Sequence, residues 1–242
     1  LYLRIVEERE DGIVVRGAKA HNTAAPYADE IIVLPTRALT PQDRDYAVAF
    51  ALPADWPGIK LVVRPAYPRK RVHLEAPVFR YGDAESFTIF DDVFVPRERV
   101  FMQGEYMFAG FLALMFAHFH RHSYTGCKPA ASDIIASAAA LVAEYSGIEK
   151  VGHVQEKISH IIGTAELVYA AGIASAEYSE KFASGTQVPD EIFTNVGRRH
   201  AGQNIYHEYE ILADLAGGLC ATLPFEGDFF SEENGQLLHK YI

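Results

Sequence analysis

The spacing of apolar residues changes near residue 104, and this change limits the possible folds more than any other feature of the chain. Before it, short β-branched runs are bounded by turn-forming residues, at 3–8, 12–17, 30–35, 45–50, 61–65 and, as a further strand pair, 87–96. The dipeptide Asp11-Gly12 between the first two runs is a strong hairpin signal. Runs with this spacing are typical of an antiparallel sheet or barrel. We therefore predict a β domain over residues 1–104.

Beyond residue 104, apolar residues recur at spacings of three and four, which is typical of helices. The run at 106–119 is shorter than the roughly 20 residues of a membrane span and predicts a buried helix. Further helices are predicted over 130–145, capped by Ser132-Asp133, and over 151–183 and 190–214. The residues expected to face the core are Ile134, Ile135, Ala138, Leu141 and Val142, and in the next helix Ile158, Ile161, Ile162, Ala165, Val168 and Tyr169. Short glycine-containing breaks between long helices predict an up-and-down bundle over residues 105–242.

Charge and cysteine content exclude several classes of protein. The net charge of −10 and the pI near 5.5 argue against a nucleic-acid partner. The two cysteines, Cys127 and Cys220, are too few for a disulfide framework and predict reduced thiols in the cytoplasm. The sequence shows no signal peptide and no membrane-spanning run, and it begins within a predicted strand without a methionine. We expect a piece of a longer protein.

The segment 117–129 holds the densest group of chemically versatile side chains, with three histidines, a cysteine, an arginine, a lysine and a tyrosine. On a helix, His120, Tyr124 and Cys127 lie at i, i+4 and i+7 and therefore share one face. An imidazole and a thiolate on one face are typical of half a metal or iron–sulfur ligand set, or of a nucleophile with its base. The alternative is a buried structural cysteine beside solvated histidines. Two ligands are too few for a cluster, so further ligands would have to come from outside this chain.

Two further candidates lie in the predicted β domain. Glu85 opens a predicted strand, where desolvation would raise its pKa and suit it to general acid–base chemistry. The alternative is a solvated carboxylate in a turn. Residues 17–24 are predicted to form a loop of small residues, which would let a flat cofactor approach the backbone, with Lys19 or Thr23 as hydrogen-bond partners. The alternative for this segment is an ordinary β-turn.

Four strings carry a family resemblance: GIVVRGAKAHNTAAPYADEIIVLP at 12–35, YGDAESFTIFDDVFVPRERVF at 81–101, FHRHSYTGCK at 119–128 and LADLAGGLCATLPFEGDF at 212–229. They resemble the 4-hydroxybutyryl-CoA dehydratase/vinylacetyl-CoA Δ-isomerase branch of the flavoproteins. That family also contains the oxygenase component of 4-hydroxyphenylacetate 3-monooxygenase. The resemblance implies an α+β, acyl-CoA-dehydrogenase-like fold with a central antiparallel β domain and a C-terminal helical bundle. The family's N-terminal helical domain would be absent from this chain.

The resemblance also implies roles for individual residues. His120 and Cys127 are similar to two of the four ligands of a 4Fe–4S cluster, and His120 also to the base that acts at C2 of the acyl-CoA. The other matching active-site positions are Tyr124, Lys128 and Glu85, with Thr23 and Lys19 as flavin contacts. The implied activity is the radical dehydration of 4-hydroxybutyryl-CoA to crotonyl-CoA, with isomerisation of vinylacetyl-CoA, by a cytoplasmic homotetramer that uses FAD and the cluster.

Departures from the family pattern leave two other functions open. The remaining cluster cysteines, a further catalytic glutamate and some flavin contacts would lie outside this chain. One alternative is a flavin-dependent aromatic hydroxylase, in which Cys127 would have no role. The other is a truncated, non-catalytic assembly partner. Pro129 is expected to bias Lys128 away from a helical conformation.

Overall fold

The structure is a computed structural model that describes residues 2–64, 71–73 and 84–242, with the backbone alone at Cys220. Contacts divide the chain into two compact units, Leu1–Leu114 with Phe225–Ile242, and Met115–Pro224. Residues 81–83, which open the string at 81–101, lie outside the described residues. The predicted domain limits, 1–104 and 105–242, stay a prediction.

The first unit contains two antiparallel sheets. The strands are β1 Arg4–Glu8, β2 Gly12–Thr23, β3 Glu30–Val33, β4 Val48–Pro53, β5 Ile59–Arg64, β6 Glu85–Pro96 and β7 Val100–Gln103. One sheet has the order β1-β2-β6-β5 and the other β3-β4-β7, and each neighbouring pair is antiparallel. The hairpin predicted at Asp11-Gly12 joins β1 to β2, and Arg9 N donates to Gly12 O at 2.9 Å. The antiparallel β architecture is confirmed.

Buried side chains from both sheets form one core. Phe50 of β4 and Phe90 of β6 meet edge to face, with their ring centroids 5.8 Å apart. Around them pack the buried residues Ile13, Val15, Leu52, Val93 and Val95. Aromatic and β-branched residues suit such a half-buried pleated surface. This packing explains why the short apolar runs of the sequence become strands.

Two of the predicted strands differ from the observed ones. Residues 87–96 form one long strand rather than a strand pair, because β6 pairs with β2 from Thr23↔Glu85 to Gly12↔Pro96. The run predicted at 45–50 begins instead with a 3₁₀ helix, Pro41–Tyr46, and β4 starts only at Val48. Asp43 accepts hydrogen bonds from Thr40 N at 3.1 Å and Thr40 Oγ1 at 2.8 Å, which stabilises the 3₁₀ turn.

The helical part is dominated by three long helices. The helices are α1 Tyr106–Tyr145, α2 Gly152–Glu177, α3 Glu191–Leu215, α4 Leu219–Thr222, α5 Glu226–Phe229 and α6 Gly235–Tyr241. Asp190 caps α3 by accepting a hydrogen bond from Phe193 N at 2.8 Å, close to the predicted start. The second helix ends earlier than predicted, because the short strands β8 Glu180–Lys181 and β9 Gln187–Val188 pair with each other. 

The first helix was predicted as two separate segments, and it is continuous. It passes through Pro129, which is buried, so Lys128 is helical and its expected bias away from helix is wrong. Proline removes one backbone donor and one hydrogen bond. The turns on both sides of it keep their bonds, and buried Ile135, Ala139 and Ala143 anchor the C-terminal half. Ser132, predicted as a cap, therefore lies inside α1.

The N-terminal part of α1 is not the buried helix predicted from its apolar composition. Ala109 is fully buried, but Met107, Phe108, Phe111 and Leu114 are between 52% and 60% exposed. A helix that is apolar on all sides can bury only one face against a single layer of structure. Within the described part of the chain, these four side chains stay largely uncovered, which is typical of an interaction surface.

The predicted inward faces of the helices are only partly correct. Ile135, Ile161, Ala165 and Val168 are buried as expected. The residues found exposed instead are Ile134, Leu141, Ile162 and Tyr169. The buried face of α1 is completed by small residues, Ala136, Ala139 and Ala143, whose apolar signal is weak. Close helix packing favours small residues at the contact, so the larger neighbours point away from it.

One helix of the described chain has the length and apolar composition of a membrane span. It is α2, with a mean hydropathy of 1.2 in its most apolar 18-residue window, and one third of that window is buried. Core helices of globular proteins can pass the same test. This observation alone is weak evidence for a membrane location.

Three helices of the second unit meet at the buried side chain of Thr125. A methyl group added at Gly172 would lie 3.0 Å from Thr125 Cβ and closer still to its hydroxyl oxygen. A methyl group at Gly197 would lie 2.8 Å from Thr125 Cγ2. Rotation of Thr125 would break the hydrogen bond that its Oγ1 donates to His122 O at 2.6 Å. The two glycines therefore permit the close approach of α2 and α3 to α1.

This contact predicts opposite effects for two glycine substitutions in the same helix. Gly172→Ala is expected to lower the free energy of unfolding by about 1–3 kcal/mol, because the added methyl group overpacks the contact. The matched control is Gly163→Ala, where an added methyl group meets no described atom within 4 Å. There, the higher helix propensity of alanine should raise the free energy of unfolding by about 0.5–1 kcal/mol. Urea unfolding measures both, and equal effects would contradict the packing.

Candidate functional site

The uninterrupted α1 places His120, Tyr124 and Cys127 at i, i+4 and i+7, as the sequence predicted. The His120 imidazole is exposed and stacks on Phe116, with the ring centroids 5.7 Å apart. The thiol of Cys127 is also exposed, and its Sγ donates weakly to Tyr124 O at 3.7 Å. A buried structural cysteine, the alternative weighed from the sequence, is therefore not what the structure shows at residue 127. Both donor atoms are accessible to a ligand.

Tyr124 is half-buried and lies beneath an arginine from α3. The Arg198 guanidinium carbon is 4.2 Å from the centroid of the Tyr124 ring. A cation over the face of an aromatic ring is attracted by the ring quadrupole, by about 0.5–2 kcal/mol. Arg198 was not predicted as a site residue, because it is far from Tyr124 in the sequence and no local pattern marks it.

Lys128 is buried one residue beyond the exposed thiol. Burial lowers the pKa of its ammonium, while the negative charge of Glu208 and then that of Cys127, when its thiol is ionised, act in the opposite direction. Glu208 of α3 is fully buried, and its Oε2 accepts a hydrogen bond from Ser132 Oγ at 2.8 Å. Its other oxygen, Oε1, has no hydrogen-bond partner among the described residues. No local pattern in the sequence indicates that a carboxylate of α3 acts on the predicted lysine.

Thr23 and Glu85, predicted separately, are brought together in the first unit. They are register partners at the end of the β2–β6 pair, and Thr23 Oγ1 donates to Glu85 Oε1 at 2.7 Å. Glu85 is half-buried, and its Oε2 is buried without a hydrogen-bond partner among the residues described. Glu85 is therefore more enclosed than a solvated turn carboxylate. Its free oxygen is the acceptor that acid–base chemistry would need.

The segment 17–24 is largely part of β2, so the predicted loop is wrong. Pairing with β6 continues through it, with a register shift between Lys19 and Asn22. His21 adopts a left-handed conformation with φ of 40° in this bulge. A bulge keeps the strand in the sheet while redirecting side chains, and Asn22 Oδ1 accepts from Thr88 Oγ1 at 2.9 Å. The small residues signalled a local irregularity but not a loop.

Lys19 is held by the backbone of a neighbouring segment. Its half-buried Nζ donates to Leu34 O at 2.7 Å, and burial lowers its pKa. This bond ties β2 to the end of β3. A role of Lys19 toward flavin stays a prediction, and the structure gives the side chain a structural partner of its own.

Removal of this bond should be measurable as a loss of stability. Lys19→Met is expected to lower the free energy of unfolding by about 1–2 kcal/mol, because a charged donor to a carbonyl is lost. The matched control is Lys60→Met, which removes an exposed ion pair to Asp91 and should cost less than about 0.5 kcal/mol. Denaturant titration of both variants checks the difference. An effect of Lys19→Met no larger than that of the control would contradict a structural role.

The predicted metal ligands provide only part of a cluster site. Within the described ranges, no group of three or more His, Cys, Asp or Glu side chains is placed to hold a metal ion. A 4Fe–4S cluster takes four protein ligands. The exposed imidazole of His120 and thiol of Cys127 have suitable donor chemistry for two of them. The other ligands would have to come from outside the described residues.

Comparison with known proteins assigns the family. The signature described as 4-hydroxyphenylacetate 3-hydroxylase N terminal matches residues 1–102, and the corresponding C-terminal signature matches residues 109–242. The chain belongs to the 4-hydroxyphenylacetate 3-hydroxylase family. It shares only its fold with a glutaryl-coenzyme A dehydrogenase, at a TM-score of 0.60 and 16% identity over 86% of this chain and 49% of that one. The predicted mixed helix-and-sheet, acyl-CoA-dehydrogenase-like fold agrees with this neighbour.

Within the 4-hydroxyphenylacetate 3-hydroxylase family, the chain is similar to both dehydratases and monooxygenases. It is 40% identical to the 4-hydroxybutyryl-CoA dehydratase/vinylacetyl-CoA-Δ-isomerase of Clostridium aminobutyricum, over 96% of this chain and 48% of that protein. An oxygen-tolerant archaeal 4-hydroxybutyryl-CoA dehydratase from N. maritimus superposes with a TM-score of 0.92 and 38% identity, over 99% and 49% of the two chains. The oxygenase component of 4-hydroxyphenylacetate 3-monooxygenase, complexed with FAD, gives a TM-score of 0.85 and 33% identity, over 99% and 50%.

These comparisons confirm the resemblance to the dehydratase branch that the sequence strings indicated. The chain spans about half the length of the relatives it matches. The roles of individual residues stay predictions.

Proposed function

We propose that this chain forms part of a flavoprotein that dehydrates 4-hydroxybutyryl-CoA to crotonyl-CoA and isomerises vinylacetyl-CoA. The observation that carries the proposal is the joint exposure of His120 and Cys127 on one face of α1. An aromatic hydroxylase has no use for this thiol, whereas a cluster-containing dehydratase needs such ligands. The 40% identity to a dehydratase supports the same choice.

In this proposal, His120 and Cys127 hold a 4Fe–4S cluster together with ligands from outside the described chain. When bound, FAD supplies one-electron oxidation and an iron of the cluster supplies Lewis acidity toward the C4 hydroxyl group. His120 also accepts the proton from C2 of the acyl-CoA. An imidazole suits both roles, because a nitrogen lone pair can bind either a metal or a proton. Its exposure gives substrate access to it.

Lys128 and Tyr124 are proposed to stabilise the negative charge that develops when the C2 proton leaves. A buried ammonium acts through a lower dielectric than a solvated one, so its interaction with a developing oxyanion is stronger. Arg198 holds the Tyr124 ring through the stacking at 4.2 Å. Tyr124 is thereby positioned as a hydrogen-bond donor rather than as a free surface side chain.

Thr23 and Glu85 are proposed to act as a pair. Thr23 contacts the flavin, with Lys19 in the same segment, while Glu85 exchanges protons through Oε2. The hydrogen bond from Thr23 occupies Oε1 and fixes the orientation of the carboxylate. The other carboxylate oxygen, Oε2, then has no hydrogen-bond donor among the described residues and is available for proton exchange.

The proposed complete enzyme is a cytoplasmic homotetramer that takes an acyl-CoA substrate. The exposed apolar side chains of Met107, Phe108, Phe111 and Leu114 support association with another chain or another part of the same protein. An exposed apolar patch of this kind on a folded unit is usually buried against a partner surface.

The second candidate function is a flavin-dependent aromatic hydroxylase of the 4-hydroxyphenylacetate 3-monooxygenase type. It is supported by the likeness to the FAD-complexed oxygenase component. In that enzyme the reacting partner of the substrate would be reduced flavin and oxygen, so Cys127 would be a bystander.

The test is the cofactor content of the native protein. It is purified anaerobically with any chain that copurifies, and iron, acid-labile sulfide and flavin are measured per chain. The dehydratase proposal predicts about four irons and four sulfides per cluster, with flavin. Flavin without iron would favour the hydroxylase instead. A folded protein with neither would contradict both functions and favour a non-catalytic partner.

A further inference from the structure

Two histidines meet where α2 packs against α3 in the second unit. The ring centroids of His160 and His207 are 5.0 Å apart, and the ring planes are inclined by 75°. Both side chains are exposed to solvent. Neither residue belongs to the sites described above. The pair is therefore accessible to a small ligand from solution.

A carboxylate fixes the orientation of one of these rings. His207 Nδ1 lies 3.1 Å from Glu210 Oε2, one turn later on the same helix. An ionised carboxylate only accepts hydrogen bonds, so Nδ1 is the donor, and in the neutral imidazole Nε2 then keeps its lone pair. A carboxylate that orients a histidine in this way is a typical outer partner of a metal-ligating imidazole.

The packing of the two helices holds the pair in register. Ile161, next to His160, and Ile211, one turn after His207, are buried in the same core cluster. The ion pair between Lys157 and Asp214 links the same two helices nearby. The two rings are thus carried by a rigid contact, so little ordering is needed when a ligand binds both.

The spacing of the rings suits one metal ion. Two imidazoles bound to a tetrahedral ion at about 2.0–2.1 Å hold their ring centroids roughly 5 Å apart. The observed separation is 5.0 Å. The separation therefore fits a shared ion, and Glu210 orients one of the two rings.

We propose that His160 and His207 form a binding site for a divalent late transition-metal ion, with water completing its coordination. Imidazole suits Zn²⁺, Ni²⁺ and Cu²⁺, and Cu²⁺ should bind most tightly of the three. Glu210 is the positioning residue of the site, because it holds His207 in the ligating tautomer. The site is independent of FAD, of the cluster and of the proposed dehydratase reaction.

The test is a calorimetric titration of the full chain with NiCl₂ and separately with CuCl₂, in a Cys127→Ser background so that the exposed thiol beside His120 does not compete for the metal. The expected result is a binding event that weakens at least tenfold in His160→Ala and in His207→Ala. The double variant should bind no more weakly than either single variant, because one imidazole alone cannot chelate. Glu210→Gln should weaken binding about tenfold, because a neutral amide orients the His207 ring less strongly than the carboxylate does. The control is His153→Ala, which removes another exposed histidine of α2.

Three results would overturn the site. These are no binding by the parent chain, unchanged binding in both single variants, or dependence on only one of the two histidines. Circular dichroism verifies that each variant is folded, which is expected because both side chains are exposed. Iron and flavin in the native protein should be unchanged by His160→Ala, so this test and that of the dehydratase proposal can fail separately.

Discussion

Replacement of Cys127 by serine should remove most of the iron from the native protein, whereas replacement of the other cysteine, Cys220, should leave the iron content unchanged. The thiolate is the stronger cluster ligand of the proposed pair, and a serine hydroxyl is a poor substitute for it. Because the Cys127 thiol is exposed and makes only a weak hydrogen bond, its loss should not disturb the fold. Flavin content and circular dichroism of the variant are the checks on folding.

The second proposed ligand gives the matching experiment. His120→Ala should also lower the iron content, while His153→Ala, which removes an exposed histidine of α2, should not. Iron retained in Cys127→Ser and His120→Ala but lost in Cys220→Ser would refute the ligand assignment.

Replacement of Lys128 by methionine should lower kcat about 10²–10⁴-fold, with the cofactor content retained. Methionine keeps much of the volume of the buried side chain but removes the donor and the positive charge. A preorganised donor aimed at developing charge contributes rate on this scale. The change also removes the positive charge of Lys128 that interacts with the buried Glu208, so some loss of stability is expected as well.

Two controls separate the catalytic effect from the structural one. Lys157→Met removes a lysine that pairs with Asp214 at the surface and should leave kcat unchanged. Glu208→Gln keeps the hydrogen bond with Ser132 and removes only the negative charge. It therefore breaks the same charge interaction while the Lys128 ammonium stays in place. A normal kcat in a folded Lys128→Met enzyme would exclude Lys128 from the reaction.

Local signals in the sequence predicted the elements of the fold better than their limits. The Asp11-Gly12 turn, the start of a helix at residue 190 and the change from strands to helices were all found where they were expected. The length of β6 and the continuity of α1 were missed. Both depend on partners far away in the sequence: β2 pairs along the whole of β6, and packing carries α1 through Pro129.

In the candidate site, too, the arrangement along one element was predicted from the sequence, and the contacts between elements were not. Helical periodicity alone placed His120, Tyr124 and Cys127 on one face, because all three depend on a single helix. The contacts of Arg198 with Tyr124, of Glu208 with Ser132 and of Thr23 with Glu85 join separate elements, and spacing along one element cannot show them. The exposed apolar residues of α1 were predicted to be buried, because composition does not show which face of a helix packs against another element.

The most direct test of the proposed function is the conversion of 4-hydroxybutyryl-CoA by the native protein under strict exclusion of oxygen. We expect crotonyl-CoA to form at a rate that follows iron content across the parent, Cys127→Ser and Cys220→Ser proteins. A preparation that holds its iron and flavin but forms no crotonyl-CoA would contradict the account. Hydroxylation of 4-hydroxyphenylacetate with reduced flavin and oxygen, unaffected by Cys127→Ser, would contradict it as well.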